Sequence, residues 1–405
     1  MTPTPRIVVF SSLFPHERQP HAGLFIRERM FRVAQQIPLV VVSPRPWFPL
    51  QGLLRKLRPG YRPNAPRHEV QQGIEIFFPR FLALPGLGRR WDGFMMALCS
   101  LPLLLRLKKE KSINLIDAHF AYPDGYAAAL LGRWLKLPVT ITLRGSEPRQ
   151  ARVKSLRQRI LKAGSWATRI FAVSNSLREA AISWGIPAGK VIVVGNGVDL
   201  KKFVPIPQTA ARQRLGLTSD ARVLISVGGL VERKGFHRIL QRMPALLEQF
   251  PALHYLIVGG ASPEGDFSSV LKAIVEEKNL AAHVTFCGAV APEQLHVYLS
   301  AADVFALATS NEGWANVLLE ALACGVPVVT TDVGGNREVI DSTALGLVVP
   351  FGDAEALQSA LVEALQKPWD RTRMMAHAAQ NQWDARIALL FKQFSHIVAN
   401  HRTSA

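Results

Sequence analysis

The sequence predicts an α/β protein built on two doubly wound parallel sheets. Short apolar runs that are typical of buried strands alternate with helical patterns along the chain. The alternation stops at the proline-containing stretch 205–208 and then starts again. The clearest repeat, residues 303–330, reads as a strand, a loop, a helix and a second strand, which is one unit of a parallel sheet. We therefore expect one such sheet in each half of the chain.

Each half supplies its own set of short strands. In the first half, apolar runs predict strands over residues 6–12, 39–42, 115–119, 139–143, 170–173 and 191–194. In the second half, they predict strands over residues 223–227, 255–258, 284–286, 303–307, 328–330 and 346–349. A loop over 14–24 separates the first strand from a helix predicted over 25–35. Apolar residues at spacings of three and four predict helices in the tail, over 369–400.

The unit 303–330 contains two carboxylates, one directly before its predicted helix, residues 313–324, and one within that helix. Glu312 lies in the loop at the helix entrance, and Glu320 follows eight positions later. Eight helical residues span about 12 Å, which is too far for one acid/base pair but suits two ends of an elongated ligand. The free N–H groups of residues 313–316 would bind an anion between them, so the layout fits a nucleotide sugar. The alternative is a solvated Glu at a helix start and another on an exposed face.

The flanking residues add a family resemblance. The segment NEGWANVLLEALACGVPVVT, residues 311–330, resembles the E-x7-E segment of the family 4 retaining glycosyltransferases over its full length. The resemblance implies that Glu312 contacts the donor sugar and that Glu320 holds the ribose. The other donor-binding residues that it implies in this segment are Gly313, Trp314, Ala315, Asn316 and Val317.

The segment GGLVERKGF, which follows the first strand of the second half, supplies cations. Arg233 and Lys234 lie on a loop before a helix, where they are placed for a diphosphate. Members of the family usually carry Arg at the position of Gly229, so this chain departs from the pattern there. Arg233 is a candidate replacement for that charge, although the sequence does not show the direction of its side chain. A solvated turn is the alternative.

Three segments of the first half extend the resemblance. FPHERQPHAGLFIRERM resembles the family's first loop, in which a Gly, here Gly23, lets the donor phosphates and the acceptor come close. DAHFAYPDG resembles the segment whose His, here His119, reaches the donor sugar from the first domain. Many relatives have His-Gly at Arg144-Gly145, and we interpret Arg144 as an acceptor-side residue that contacts a phosphate or an acidic acceptor. The alternatives are a plain turn and a structural histidine.

Taken over most of the chain, the resemblance implies the B-type glycosyltransferase fold (GT-B), with two facing Rossmann-like domains and the active site in the cleft. We assign residues 1–204 to an acceptor-binding domain, 205–370 to a nucleotide-sugar-binding domain and 371–405 to helices that return to the first domain. The implied reaction transfers a sugar with retention, with His119 and Glu312 as the catalytic residues. The sequence has no Asp-x-Asp that would hold Mg²⁺, so we expect cations and helix-start amides to stabilise the diphosphate without a metal or other cofactor. No residue is an obvious covalent nucleophile, which favours same-face attack assisted by the leaving phosphate.

The cysteines and the lengths of the apolar runs indicate the cellular compartment of the protein. The three cysteines, at positions 99, 287 and 324, are scattered and form no CxxC or His/Cys cluster, which indicates a reducing compartment without a zinc site. We find no signal-peptide pattern. The longest uncharged and mostly apolar run, residues 94–105, is too short to span a bilayer. These features predict a cytoplasmic protein.

The charge is unevenly divided. Residues 1–204 hold 32 Lys and Arg against 11 Asp and Glu, a net charge of +21, whereas residues 205–405 have a net charge of −3. This asymmetry predicts a polyanionic partner for the first half only. Apolar residues are threaded through the basic stretches 47–58 and 81–111, so we expect docking on an anionic membrane surface, on its inner face. For the stretch 48–58, an acceptor-side loop that packs on itself is the equal alternative.

Two rival functions belong to other classes. A nucleic-acid-binding protein would explain the basic first half, but we find no groove-reading or stacking motif. A related two-Rossmann enzyme, either a sugar-nucleotide epimerase or a phosphorylase, would share the fold. A phosphorylase needs a pyridoxal-binding Lys, for which the sequence offers no clear candidate.

Overall fold

The computed structural model describes residues 4–20, 22–49, 51–52, 56, 65–83, 88–262 and 264–403. The chain forms two compact units: Met1–Gly195 together with Arg386–Ala405, and Asn196–Ala385. The division at residue 195 precedes the sequence-based boundary at 204 because the intervening turn joins the second unit. Val198 donates its N–H to the carbonyl of Asn381 at 3.0 Å, and its side chain is part of the core of that unit.

The strands of the first unit are β1 (Ile7–Phe10), β2 (Leu39–Val42), β3 (Arg45–Trp47), β4 (His68–Gln71), β5 (Ile74–Phe77), β6 (Arg80–Leu82), β7 (Leu115–His119), β8 (Val139–Leu143), β9 (Arg169–Ala172) and β10 (Val191–Val193). Among the described residues, eight of them form one sheet in the order β10-β9-β8-β7-β1-β2-β5-β4. Every pair in it is parallel except β4–β5. Every residue of the central strands β1, β7 and β8 is buried, as expected for parallel strands whose sheet is covered on both faces by helices.

The helices of the first unit cover the faces of this sheet or lead into it. They include Leu24–Ala34, Asp92–Glu110, Tyr126–Leu135, Glu147–Ala151, Lys154–Trp166 and Asn175–Ser183. Two short turns of other helical types, Ala121–Gly125 and Ala188–Lys190, precede Tyr126 and β10.

The strands β3 to β6 are not predicted by the sequence analysis. β3 and β6 form a separate parallel pair of three residues each, and β4 and β5 form a hairpin at the sheet edge. The predicted basic stretch 48–58 falls largely outside the described residues, and this includes Arg55 and Arg58.

The strands of the second unit are β11 (Arg222–Val227), β12 (Leu253–Val258), β13 (Val284–Gly288), β14 (Val304–Leu307), β15 (Val328–Thr331) and β16 (Gly346–Val349). They form a parallel sheet in the order β13-β12-β11-β14-β15-β16. Its helices are Gln208–Arg214, Phe236–Leu240, Met243–Gln249, Ser268–Glu277, Leu295–Ala301, Asn316–Ala323, Asn336–Val339, Ala354–Gln366 and Arg371–Gln380, with a 3₁₀ turn at Glu232–Lys234.

Both faces of the second sheet are packed. Val223 and Ile225 of β11 belong to one apolar cluster, while Leu224 between them belongs to the other. Successive side chains of a strand point to opposite faces, so the two clusters lie on the two sides of the sheet. The predicted α/β class with two doubly wound sheets is therefore confirmed.

The last helix, Trp383–Thr403, returns the chain to the first unit, as predicted. From residue 386 onward it belongs to that unit, and the ring of Phe394 lies 5.8 Å from the ring of Phe171 in β9. None of the helices that the structure describes combines the length and apolar character needed to cross a bilayer.

Candidate active site

The strand order of the second sheet creates a crevice between β11 and β14. The chain runs from β11 outward through β12 and β13, and then returns to the other side of β11 as β14. Loops that follow two such strands diverge at their carboxyl ends, and ligands of open α/β sheets bind at this switch point. The loop after β11 carries Arg233 and Lys234, and the loop after β14 carries Glu312. The topology thus brings together residues that are nearly 80 positions apart.

The carboxylate of Glu312 is the centre of this site. The residue is 9% exposed, and its Oε1 accepts three hydrogen bonds. Lys234 Nζ lies at 2.6 Å, Thr309 Oγ1 at 3.1 Å and Arg233 Nη1 at 3.2 Å. A buried carboxylate with two cationic donors has its charge compensated within the protein. The predicted sugar-contacting carboxylate and both predicted diphosphate cations therefore form one cluster.

The side chain of Arg233 points into the site, which the sequence did not reveal. Besides Glu312, its Nη1 donates to the carbonyl of Asn311 at 3.2 Å. Its Nε and Nη2 each lie 2.7 Å from a carboxylate oxygen of Glu264. Burial lowers the pKa of Arg233, but the two neighbouring carboxylates outweigh burial and raise it, so the guanidinium is a fixed positive charge.

Gly334, on the loop after β15, allows that loop to close on Glu312. Its backbone is left-handed, with a φ of +54°, and a Cβ there would lie 1.7 Å from the main-chain oxygen of Glu312. No side chain fits in that space, so a glycine is required where the two loops touch. The main chain of Glu312 is thus held from the β15 side as well.

The helix that carries Glu320 begins later than predicted. It spans Asn316–Ala323, because Ala315 has an extended backbone (φ −84°, ψ 94°) and ends the loop. The expectation that residues 313–315 form the first helical turn is therefore wrong. Gly313 and Ala315 are buried loop residues, and Trp314, Val317 and Glu320 are half-buried. The Oδ1 atom of Asn316 accepts a hydrogen bond from Nδ2 of Asn196 at 2.8 Å, which fixes the first helical residue.

The first unit has its own switch point, between β1 and β7. Ser12 follows β1, and both its N–H and its hydroxyl donate to the carboxylate of Asp124, in the turn after β7. Gly23 precedes the helix Leu24–Ala34 with a left-handed φ of 77°. A Cβ on Gly23 would lie 2.5 Å from the carbonyl oxygen of Leu13, so the loop needs a glycine there.

His119, at the end of β7, is completely buried. Its Nδ1 lies 2.9 Å from Nη2 of Arg144 and must accept this hydrogen bond, because a guanidinium only donates. The hydrogen of the neutral ring is therefore on Nε2, which has no hydrogen-bond partner among the described residues. The carboxylate of Asp117 lies 3.5 Å from this atom. Burial first, and then the charges of Arg144 and Arg29, hold the pKa of His119 well below its usual range, so the ring is neutral.

Arg144 follows β8 and is 9% exposed. Its guanidinium lies 5.3 Å from the ring centre of Phe25. The carboxylate of Glu147 accepts the N–H of Arg144 at 3.2 Å and of Gly145 at 2.7 Å, which sets the loop backbone. The structure thus places the predicted residues Gly23, His119 and Arg144 in the first unit and the remaining predicted residues in the second.

The sequence analysis missed Glu264 and Thr309 as members of the site. Glu264 lies after β12, directly before Gly265, and nothing in its local pattern distinguishes it from a solvated turn residue. Thr309 lies in the loop that the sequence predicts after the strand 303–307, where a threonine is an ordinary turn residue. Across the part of the chain that the structure describes, no group of three or more His, Cys, Asp or Glu side chains is arranged to hold a metal ion.

Comparison with known proteins identifies two family models along the chain. The model described as "Glycosyl transferases group 1" matches residues 207–382, and "Glycosyltransferase Family 4" matches residues 57–202. The first match covers the loops of Arg233, Lys234 and Glu312, and the second covers His119 and Arg144.

Individual proteins match over long stretches. The chain is 30% identical over 394 residues to a putative teichuronic acid biosynthesis glycosyltransferase, TuaC, of Bacillus subtilis, covering 94% of this chain and 95% of that protein. It is 30% identical over 293 residues to a GDP-mannose-dependent alpha-(1-6)-phosphatidylinositol monomannoside mannosyltransferase of Mycolicibacterium smegmatis, covering 69% and 75%. The sucrose-phosphate synthase of Thermosynechococcus elongatus has a similar structure, with a TM-score of 0.77 at 23% identity over 98% of this chain and 100% of that one.

Proposed function

The chain belongs to the family of group 1 glycosyl transferases and has their B-type fold, and from this we propose that it is a retaining enzyme that moves a sugar from a nucleotide-sugar donor to a glycan or lipid-linked acceptor. The proposed role is the synthesis of cell-surface or extracellular polysaccharide or glycolipid. The names of the Bacillus and Mycolicibacterium relatives support this role, since one refers to teichuronic acid and the other to a phosphatidylinositol mannoside.

The contact of Lys234 and Arg233 with Glu312 at the switch point of the second sheet is the observation that carries the proposal. Two fixed cations and a buried carboxylate lie where ligands of open α/β sheets bind. We assign the diphosphate to the two cations and the transferred sugar to Glu312. The proposed ribose contact is Glu320, on the helix that follows. The loop and first helical residues Gly313, Trp314, Ala315, Asn316 and Val317 would border the donor.

The proposed reaction is a same-face substitution at the anomeric carbon. A bond forms between an acceptor oxygen and that carbon, and the bond from the carbon to the diphosphate oxygen breaks. The acceptor hydroxyl transfers its proton to the departing diphosphate, so no protein base is consumed. Lys234 and Arg233 stabilise the charge that develops on the leaving group, which is the usual role of fixed cations in phosphate chemistry. In this mechanism, no divalent metal or other cofactor is required.

The first unit would supply the remaining groups. We propose that His119 contacts the transferred sugar, that Gly23 lets substrate approach the loop after β1, and that Arg144 serves the acceptor side. The contact between Arg144 and Nδ1 of His119 supports a coupled role, because it fixes the histidine tautomer with the hydrogen on Nε2. A neutral Nε2–H is a hydrogen-bond donor suited to a sugar hydroxyl.

One helix of the first unit has an exposed apolar face. Trp91, Phe94, Leu98 and Leu105 are each 38–55% exposed and lie on or just before the helix Asp92–Glu110. Their spacings of three, four and seven place them on one face. Basic residues flank them at 89, 90, 106, 108 and 109. We propose that this face docks the enzyme on an anionic lipid surface, at the inner side of the membrane, without a spanning segment.

The test is a transfer assay. Purified protein is incubated with a panel of nucleotide sugars and with lipid extracts or glycans as acceptors, and products are identified by mass spectrometry and by the anomeric NMR signal. We expect transfer from one donor with its anomeric configuration kept, and equal rates with excess chelator. Lys234→Gln should lower the rate strongly, whereas Lys278→Gln, which removes a half-buried lysine of the same unit that pairs with Glu277, should not. An inverted product, or a rate lost to chelator and restored by Mg²⁺ or Mn²⁺, contradicts the mechanism.

A further inference from the structure

Glu264, on the loop after β12, makes a two-point contact with a proposed donor-site cation. Its two carboxylate oxygens accept from Nε and Nη2 of Arg233, both at 2.7 Å. The two hydrogen bonds run in parallel to the two oxygens of one carboxylate, which is the bidentate pairing that makes Arg–carboxylate contacts strong and specific in orientation. Glu264 is itself oriented, because its N–H donates to the hydroxyl of Ser262 at 3.2 Å.

The two carboxylates near Arg233 use different parts of its guanidinium group. Glu264 takes the Nε and Nη2 edge, whereas Nη1 donates to Glu312 and to the carbonyl of Asn311. The carbonyl of Arg233 in turn accepts the N–H of Ser310 at 2.8 Å. Arg233 therefore joins the loops that follow β12, β11 and β14, which are three neighbouring strands of the sheet.

A diphosphate and Glu312 would bind the same two cations. Within the site, two cations face two carboxylates, and Oε1 of Glu312 is shared by both cations. A diphosphate competes with Glu312 for them, since it brings negative charge to the same atoms. The contact with Glu264 lies on the other edge of the guanidinium, so it persists when Nη1 changes partner.

We propose that Glu264 is a positioning residue that holds Arg233 with Nη1 directed at the diphosphate of the donor. The inference rests on the proposed function. It adds Glu264 to the donor site and limits its effect to binding of the diphosphate part of the ligand. The Arg233 and Glu264 side chains are 28% and 42% exposed, and ion pairs that solvent reaches to this extent contribute little to fold stability, so the expected role of Glu264 is orientation.

The test measures the dissociation constants of UDP and GDP by calorimetry. For the nucleotide that wild type binds, Glu264→Ala should raise the Kd by about tenfold, which corresponds to about 1.4 kcal/mol. Glu264→Gln, which retains one acceptor oxygen, should have a smaller effect. Affinity for the matching nucleoside, uridine or guanosine, should not change. Glu277→Ala removes an exposed carboxylate of the same unit, paired with Lys278, and is the matched control.

A double-mutant cycle separates positioning from damage to the loop. In an Arg233→Ala background, Glu264→Ala should have no further effect on nucleotide Kd, because the side chain that it orients is gone. An equal effect in both backgrounds, an equal loss for the nucleoside, or tighter nucleotide binding by Glu264→Ala would each overturn the proposal. If wild type binds neither nucleotide and transfers no sugar, the proposed function fails. If wild type binds and Glu264→Ala binds equally well, only this inference fails.

Discussion

The Nζ atom of Lys234 lies 2.6 Å from Oε1 of Glu312, although the two residues are 78 positions apart. The lysine ends the loop after β11, and the glutamate lies in the loop after β14. The contact compensates the charge of a nearly buried carboxylate, so loss of either partner leaves the other charge without its shortest ionic contact. The same pair would be separated, at least in part, when a diphosphate binds the lysine.

Glu312 and His119 are expected to affect turnover more than nucleotide binding. The proposal assigns both to the transferred sugar, and neither to the nucleotide. Substituting Glu312→Gln or His119→Ala should lower turnover by about 10²-fold, the effect of removing one group that interacts with developing charge. Steady-state kinetics and calorimetry with the nucleoside diphosphate measure the two effects separately. A loss of nucleotide affinity in proportion to the loss of rate would show that the placement is wrong.

Glu320 is expected to bind the ribose of the donor. It is a half-buried carboxylate on the helix Asn316–Ala323. Loss of a charged hydrogen-bond acceptor costs about 1.5–3 kcal/mol, so Glu320→Ala should weaken nucleoside-diphosphate binding by about 10- to 150-fold. Calorimetry measures this, with the exposed Glu277→Ala as the control. An unchanged affinity would remove Glu320 from the ribose site.

The substitution Gly334→Ala tests whether close packing against the main chain of Glu312 is needed for activity. An alanine there would place its Cβ 1.7 Å from the Glu312 carbonyl oxygen and would also require a φ of +54°. Gly352 is the matched control, because it has a φ of +90° but no atom within 4 Å of a built Cβ. Each substitution should cost about 1–2 kcal/mol from strain at a positive φ. Gly334→Ala should cost more than Gly352→Ala, because its Cβ also overlaps the main chain of Glu312. Only Gly334→Ala should also lower turnover, because it moves the main chain of Glu312.

The measurement for this pair is the free energy of unfolding by urea, together with the transfer rate. Equal losses of rate in the two variants would show that strain alone, and not the contact with Glu312, decides activity.

Asp124 couples stability to pH. Burial raises its pKa to about 6, although Ser12 donates two hydrogen bonds to it. An unfolded Asp titrates at about 3.9, so the folded protein holds the proton more tightly. The stabilisation from this proton is fully present below about pH 4 and is lost as pH rises through about 6. We expect Asp124→Asn, which cannot ionise, to gain up to about 2–3 kcal/mol relative to wild type between pH 4 and pH 7.

Urea unfolding of wild type and Asp124→Asn at several pH values measures this difference. His119 has a lowered pKa and drives stability in the opposite direction, but it is common to both proteins and cancels in the comparison. The exposed Asp341→Asn is the control and should follow wild type. A difference between Asp124→Asn and wild type that does not vary with pH would contradict the prediction.

Docking on anionic membrane is tested by co-sedimentation with liposomes. Binding should require anionic lipid, since each Lys or Arg near such a surface contributes about 1 kcal/mol. It should weaken with salt, because screening shortens to about 3 Å at 1 M. Changing Arg55, Lys56 and Arg58 to Gln should reduce it, and so should Leu98→Gln with Leu105→Gln on the exposed helix face.

Val70→Gln is the matched control for the apolar face, because Val70 is 57% exposed in the same unit but lies on β4. Equal binding to neutral and anionic vesicles, or no binding to either, would remove the membrane from the proposal and favour a soluble acceptor.

The sequence predicted the strands of the second sheet well and some of those in the first sheet poorly. β11, β12, β14 and β15 are apolar runs buried on both faces, and such runs are visible without any tertiary information. β3 has only three residues, including a proline, and β4 reads His-Glu-Val-Gln at a sheet edge. Their pairing depends on partners elsewhere, so their local pattern does not distinguish them from loops.

For the candidate site, too, the sequence predicted one part and the tertiary structure was needed for the other. Hydrophobic periodicity and motif resemblance, both local properties of the chain, determined the α/β class and the two sheets, and they predicted Glu312, Glu320, Lys234 and His119 as site residues. Only the tertiary structure decided that Lys234 and Arg233 share one oxygen of Glu312, that Arg144 fixes the tautomer of His119, and that Glu264 holds Arg233. These contacts join loops that follow different strands. The order of the strands in the sheet sets which loops meet, and that order depends on packing of the whole unit rather than on any local stretch of sequence.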